Sequence, residues 1–125
     1  MAAGVPTAAA PTAVAVAKTG YATFWTPFFR GVICNWLVCS AILQATSTTS
    51  FVGRFFGVLW PIAGFVAIGL EHSVANMCFF PIAIALGAPV TWGAVWMANL
   101  IPVTLGNMVS GFLVALTLTS AYKEQ

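Results

Sequence analysis

Apolar residues do not alternate with polar ones along this chain; they run together in long blocks, and short polar clusters separate the blocks. The first block, Pro27 to Ala45, would be about 28 Å long as a helix at 1.5 Å per residue, close to the thickness of a bilayer's hydrocarbon core. Tyr21 and Trp25 stand just ahead of it, where interfacial aromatics prefer to sit, and Pro27 suits a first helical turn. The cluster Thr46-Ser47-Thr48-Thr49-Ser50 marks a short connection. The second block, Phe51 to Leu86, is broken only by Arg54 near its start and by Glu71-His72-Ser73 in its middle. As one helix it would measure about 54 Å, nearly two hydrocarbon cores, so something must divide it. Two divisions satisfy this: two spans joined by a tight hairpin at Glu71-His72, or one span interrupted at membrane depth. An interruption must line a polar cavity or pack in protein, because lipid cannot satisfy freed backbone groups. Pro61, Gly64, Gly69, Pro81 and Gly87 fit either division. Residues Gly87 to Ala98 read as a surface connection anchored by Pro89, Trp92 and Trp96, with or without a short amphipathic helix within it. Asn99 to Ala121 is the last span, closed by Tyr122-Lys123-Glu124-Gln125.

The chain opens differently. Met1 to Ala17 uses almost only Ala, Val, Thr, Pro and Gly and lacks the positive start and unbroken apolar middle of a secretory signal. Pro6 and Pro11 argue against a helix there, so residues 1–25 read as a low-complexity tail and an approach to the membrane, with residues 26–125 as the folded unit. Composition agrees with a lipid environment. The 125 residues are 61% hydrophobic and 5% charged, where soluble domains carry roughly a quarter charged residues. The charged side chains are Lys18, Arg30, Arg54, Glu71, Lys123 and Glu124, with no Asp, so constellations built on paired carboxylates have nothing to draw on. The net charge of +2 comes from scattered cations, which gives no footprint for nucleic acid. Cys34, Cys39 and Cys78 sit in apolar runs without metal-ligand spacing and read as buried thiols.

A few residues are costly to keep in such a chain. An ionisable side chain in a membrane span costs roughly 2.5–3.5 kcal/mol on insertion scales, so Glu71 beside His72 calls for a proton or ion site, or else for a surface hairpin where the charge is cheap. His72 is the sole histidine, the one side chain that exchanges a proton readily near neutral pH. Alone it cannot form a bis-histidine haem site or a three-histidine zinc site, and no cofactor or metal is expected. Asn35, an amide inside the first span, needs a neighbouring helix or cavity water. Asn76 and Asn107 read as packing amides and Lys18 as a membrane-flanking cation. Phe65 lies two helical turns before His72 and shares its face, either as an ordinary core residue or as an occluding ring. An enzyme would need a second group at a recognised spacing from His72, and Glu71, Cys78 and the serines do not supply one.

Three segments in succession, Gly31-Val-Ile-Cys-Asn-Trp-Leu-Val-Cys39, Gly69-Leu-Glu-His-Ser-Val-Ala-Asn-Met77 and Asn99-Leu-Ile-Pro-Val-Thr-Leu-Gly-Asn107, resemble the signatures of the formate/nitrite transporter family in family order. The resemblance runs from about Lys18 to Lys123. It implies an all-α membrane protein of aquaporin-like, inverted-repeat architecture, of which this chain matches the C-terminal half: three transmembrane helices, the middle one broken at about residues 70–73. It implies a homo-pentamer when full length, a pore in each protomer, a cytoplasmic C-terminus, and permeants that are small monovalent anions or their weak acids, with protons. The same resemblance places His72 in the pore at its midpoint with Asn35 and Lys18, makes Glu71 the support of the loop, and puts Phe65 and Val38 at hydrophobic constrictions.

The chemistry such a pore needs is plain. A bare anion entering a dry constriction loses its hydration at great cost, whereas the neutral acid loses far less. Proton transfer at His72, or from water, would convert one into the other and make flux faster at acid pH. The family's first half has no counterpart here, and Ser40 stands where an aliphatic residue is usual. Three explanations compete: a fragment of a longer protein, an inactive remnant, or a half-length chain that pairs with another half. The first is favoured because the resemblance begins well inside the chain. The alternative function is a non-transporting membrane subunit.

Overall fold

The computed structural model describes residues 9–123, and all of its regular elements are helices. In chain order they are α1 (Ala9–Thr19), α2 (Trp25–Thr46), α3 (Phe51–Ala67), α4 (Ser73–Ala85), the short α5 (Trp92–Ala94), a π-helical segment (Val95–Leu100) and α6 (Ile101–Tyr122). Trp25–Thr46 and the continuous run Trp92–Tyr122, 22 and 31 residues, are each long and apolar enough to cross a bilayer. Helices α3 and α4, of 17 and 13 residues, are each shorter than the roughly 20 residues a span requires.

The second apolar block is therefore divided by interruption. Helix α3 ends in a Schellman motif: Leu70 N–H donates to Phe65 O at 3.0 Å and Gly69 N–H to Val66 O at 3.0 Å, with Gly69 at φ +70°. A side chain at that φ would be strained, and glycine removes the strain. Residues 68–72 then cross to α4, which closes through the same motif at Gly87.

Helices α2 and α6 run parallel and nearly touch. Gly31 faces Val103 and Asn107, Phe28 faces Gly106, and Asn35 faces Gly111, so contacts advance along both helices together. A Cβ on Gly106 would overlap the Phe28 carbonyl oxygen, and one on Gly31 would lie 2.8 Å from Val103 O. Glycine here lets two backbones approach as they do at small-residue interfaces in membranes. Helix α3 returns along α2 after a turn in which the Ser50 hydroxyl accepts from Gly53 N–H at 3.4 Å and Arg54 Nε donates to Thr48 O at 2.9 Å. The outward surface is apolar: Phe51 is 81% exposed, Trp60 69% and Phe112 65%.

Three expectations are corrected. Residues 1–8 lie outside the described part, but Ala9–Thr19, expected to be tail, is helical and packed. Pro11 is its third residue, a position in the first turn whose N–H has no intrahelical partner in any case. Ala15 is fully buried in one cluster with Phe80 and Ala83 of α4 and Val95 and Leu100 of the π segment. The surface connection expected over Gly87 to Ala98 ends at Thr91, which caps α5 by accepting from Ala94 N–H at 3.2 Å. From there the last helix is continuous. Pro102 has no N–H for Ala98 O and crowds it, and the widened π turn ahead of it accommodates that crowding. Of the thiols, Cys34 is buried, Cys39 half-buried and Cys78 exposed, so the third does not fill a core.

Candidate functional site

The break between α3 and α4 gathers Glu71, Ser73, Asn76, Asn99 and Asn107, five of the six buried polar residues among those described. Glu71 is 1% exposed, and its carboxylate accepts four donors: Lys18 Nζ at 2.7 Å, Tyr21 Oη at 2.6 Å, Asn76 Nδ2 at 2.6 Å and Asn99 Nδ2 at 3.2 Å. An ionised carboxylate away from water is tolerable only with such a complete set of donors and a counter-charge, and Lys18 supplies the counter-charge. Tyr21, in the approach ahead of α2, is held neutral as a donor: burial and the bond to Glu71 push its phenol up to about 12. Asn99 closes the ring. It accepts from Asn76 Nδ2 at 2.8 Å and donates to Lys18 O at 3.0 Å, so the π segment and α1 are tied to the same carboxylate.

Asn107 of α6 holds the other side of the break. Its Oδ1 accepts from Ser73 N–H at 3.0 Å and from the Ser73 hydroxyl at 2.9 Å, and its Nδ2 donates to Gly31 O at 2.8 Å and Glu71 O at 3.3 Å. One amide thus caps the buried start of α4 and links it to both α2 and α6, which satisfies backbone groups that lipid would leave unpaired.

His72 is the N-cap of α4. Its Nδ1 accepts from Ala75 N–H at 3.4 Å, so the neutral imidazole carries its proton on Nε2. The ring stacks on Phe65 with centroids 6.2 Å apart and planes 27° from parallel. Lys18, Phe65 and His72 line a cavity of about 520 Å³ with Val14, Gly69 and Phe79 among its other walls. Among the described residues no three His, Cys, Asp or Glu side chains gather as a metal site would require.

The other two expected pore residues do not line this cavity. Asn35 is not among the cavity's lining residues; its Nδ2 donates to Asn107 O at 2.7 Å and approaches Cys39 Sγ at 3.8 Å. An amide inside a tight apolar helix pair takes the nearest acceptor, and that is a carbonyl of α6. Val38, half-buried on α2, is likewise absent from the cavity wall. Conversely, sequence reasoning passed over Tyr21, Arg30 and Asn99 and undervalued Asn76 and Asn107. The signal was present, since each asparagine within an apolar run must find a partner, but the run itself does not say which.

Comparison with known proteins follows this geometry. The family model described as formate/nitrite transporter matches residues 2–121, so the match begins ahead of Lys18 and takes in the Ala-rich start. A probable formate transporter of Methanothermobacter thermautotrophicus is 50% identical over 99 residues, which are 78% of this chain and 36% of that protein. The nitrite transporter NirC of Escherichia coli K12 is 40% identical over the same shares. Among solved structures, a pentameric formate channel with formate bound superposes with a TM-score of 0.88 at 29% identity, over 94% of this chain and 53% of the other. An FNT family ion channel superposes at 0.76 with 40% identity, over 91% of this chain and 45% of the other. The chain spans about a third to a half of the length of these relatives. It is an integral membrane protein of a transport family rather than of an enzyme family. With half and more of its length matched by that family model and by a relative at 50% identity, the chain belongs to the formate/nitrite transporter family.

Proposed function

We propose that this chain forms one wall of a permeation path for small monovalent anions or their weak acids, formate and nitrite being the relatives' own substrates by name. His72 is the group that meets the permeant and exchanges its proton. One observation carries this reading: the break commits Nδ1 to the backbone and leaves the Nε2 proton of a lone histidine beside the cavity and the Phe65 ring. A neutral imidazole in this tautomer donates to an anion and, once protonated from bulk, can pass a proton on. The acid so formed is neutral and crosses the apolar constriction at far lower cost than its anion.

The remaining residues have subordinate roles. Glu71 supports the loop, and Lys18 neutralises it while lining the cavity. Lys18 and Arg30 against Glu71 leave one net positive charge at the site, which favours anion entry. Phe65 is the constriction nearest the histidine and Val38 a second one on α2. Asn35 acts one step back, through Asn107, which holds Ser73. A homo-pentamer like the solved formate channel would cover part of the exposed Phe and Trp surface. The family resemblance supports a multi-pass fragment with a cytoplasmic C-terminus, which a reporter fused there would read.

The test is uptake of labelled formate or nitrite by vesicles containing the chain. Uptake should rise as external pH falls, because the neutral acid fraction rises. His72→Ala should lower the acid-stimulated rate on the order of a hundredfold, and Phe65→Ala should weaken its pH dependence. Acid-stimulated uptake that is the same in both variants would remove the mechanism.

A further inference from the structure

We propose that Arg30 is a positioning residue for His72: from α2 it clamps the break between α3 and α4 and sets the orientation in which the imidazole meets the cavity. The proposal rests on the reading of that break as the permeation site. Arg30 is a cation inside an apolar helix, and among the described residues the one ion pair is that of Lys18 with Glu71. Its position is explained by two other contacts. Arg30 Nη1 donates to Gly69 O at 3.0 Å, and the guanidinium lies over the Tyr21 ring, 5.6 Å from the centroid.

Both contacts end on the break. Gly69 is the left-handed residue that closes α3, so its carbonyl falls outside the helical ladder and takes a donor from elsewhere. The C-terminal end of a helix also carries partial negative charge, which a cation complements. Tyr21 in turn donates to Glu71 Oε1 at 2.6 Å. The segment from Gly69 to Ser73 is therefore gripped at three points: at Gly69 by Arg30, at Glu71 by the donors that include Tyr21, and at Ser73 by Asn107. Arg30 makes the first grip and steadies the second. His72 lies between the second and third, so its side-chain direction follows from how firmly the first two hold. A guanidinium can hydrogen-bond in its plane while presenting a face to an aromatic ring; an ammonium cannot do both with the same geometry.

Because His72 is the only histidine in the chain, a protein labelled with ¹⁵N-histidine and placed in nanodiscs of phosphatidylcholine and phosphatidylglycerol reports one imidazole. Above its titration the wild-type ring should show a single Nε2–H tautomer with Nδ1 shifted as an acceptor. Arg30→Ala should give a mixture of tautomers or a broadened line, Arg30→Lys an intermediate result, and Tyr21→Phe a smaller change than Arg30→Ala. Arg54→Ala removes a cation bonded to the distant Thr48 carbonyl and should leave the ring unchanged. An unaltered tautomer in Arg30→Ala overturns the clamp; if that variant does not fold, a wild-type tautomer in Arg30→Lys overturns it instead. In vesicles, Arg30→Ala should lower maximal formate uptake at least about tenfold, with partial rescue by lysine. If the wild-type chain passes no formate while Arg30→Ala still disturbs the imidazole, the clamp stands and the permeation reading falls. If uptake is acid-stimulated and needs His72 while Arg30→Ala changes neither it nor the ring, the reverse holds.

Discussion

The seam between α2 and α6 and the break between α3 and α4 lie side by side and meet at Asn107, yet they hold together by different physics. The seam is a backbone contact. Gly31 and Gly106 bring the helices so close that carbonyls face α-carbons across the gap. Its stability comes from dispersion between close surfaces, which lipid cannot match because tails do not fit so well. The break has little apolar surface to exchange. It is held by a carboxylate with four donors and by one amide with four bonds, every one of which must be made. The seam should therefore be intolerant of volume and indifferent to charge, and the break the opposite.

Adding volume to the seam is the harshest test of that contrast. In Gly106→Val the new Cβ would overlap the Phe28 carbonyl oxygen. Overpacking an ordinary core costs about 1–3 kcal/mol because side chains rotate aside, but a backbone carbonyl in a helix cannot. The expected result is separation of α2 from α6 and loss of the cooperative transition in a thermal melt followed by tryptophan fluorescence. A variant that melts like the parent would show that the seam is looser than drawn. Removing charge from the break comes next. Glu71→Gln leaves Lys18, whose side chain is 19% exposed, without its partner, and breaking a buried pair this way costs about 3 kcal/mol. Pairing it with Lys18→Met removes the orphan charge, so the double variant should recover a large part of that loss. If the two losses add instead, the bridge contributes nothing as a pair.

The two regions were also unequally legible in the sequence. The break could be inferred because a 36-residue apolar run is too long for one span and holds a glycine and an acid at its centre. Length decided that a division existed; resemblance decided which kind. The partners within the break were hidden, since Asn76, Asn99 and Asn107 become ligands of Glu71 and Ser73 only once α4 and the continuous last helix meet at the break. Helix α1 was misread for a local reason: Pro11 and a run of small residues suggest a tail, and only the burial of Ala15 against Phe80 shows the helix to be part of the fold. The start of the last helix was misread because Pro89, Trp92 and Trp96 look alike whether they anchor a surface loop or open a span. For the seam, the glycines Gly31, Gly106 and Gly111 are visible in the sequence, but the partner helix and its parallel direction are matters of tertiary structure.

Asn35 lies where the two regions join, and the mildest substitution is the one that sharpens the distinction between them. Its amide donates its shorter bond to Asn107 O at 2.7 Å, beside a long one to Cys39 Sγ at 3.8 Å, and the residue is only half-buried. Asn35→Ala removes that bond without adding volume to the seam. The net worth of such a bond is about 1 kcal/mol, a small shift in the thermal transition. If Asn35 acts through Asn107, it should also slow acid-stimulated formate uptake modestly, leave the apparent affinity for formate unchanged and loosen the His72 ring in the nitrogen spectrum. If it meets the permeant directly, affinity should fall while the ring keeps its tautomer. The bond to α6 favours the first outcome, because an amide nitrogen already donating to a carbonyl must break that bond before it can bind an anion.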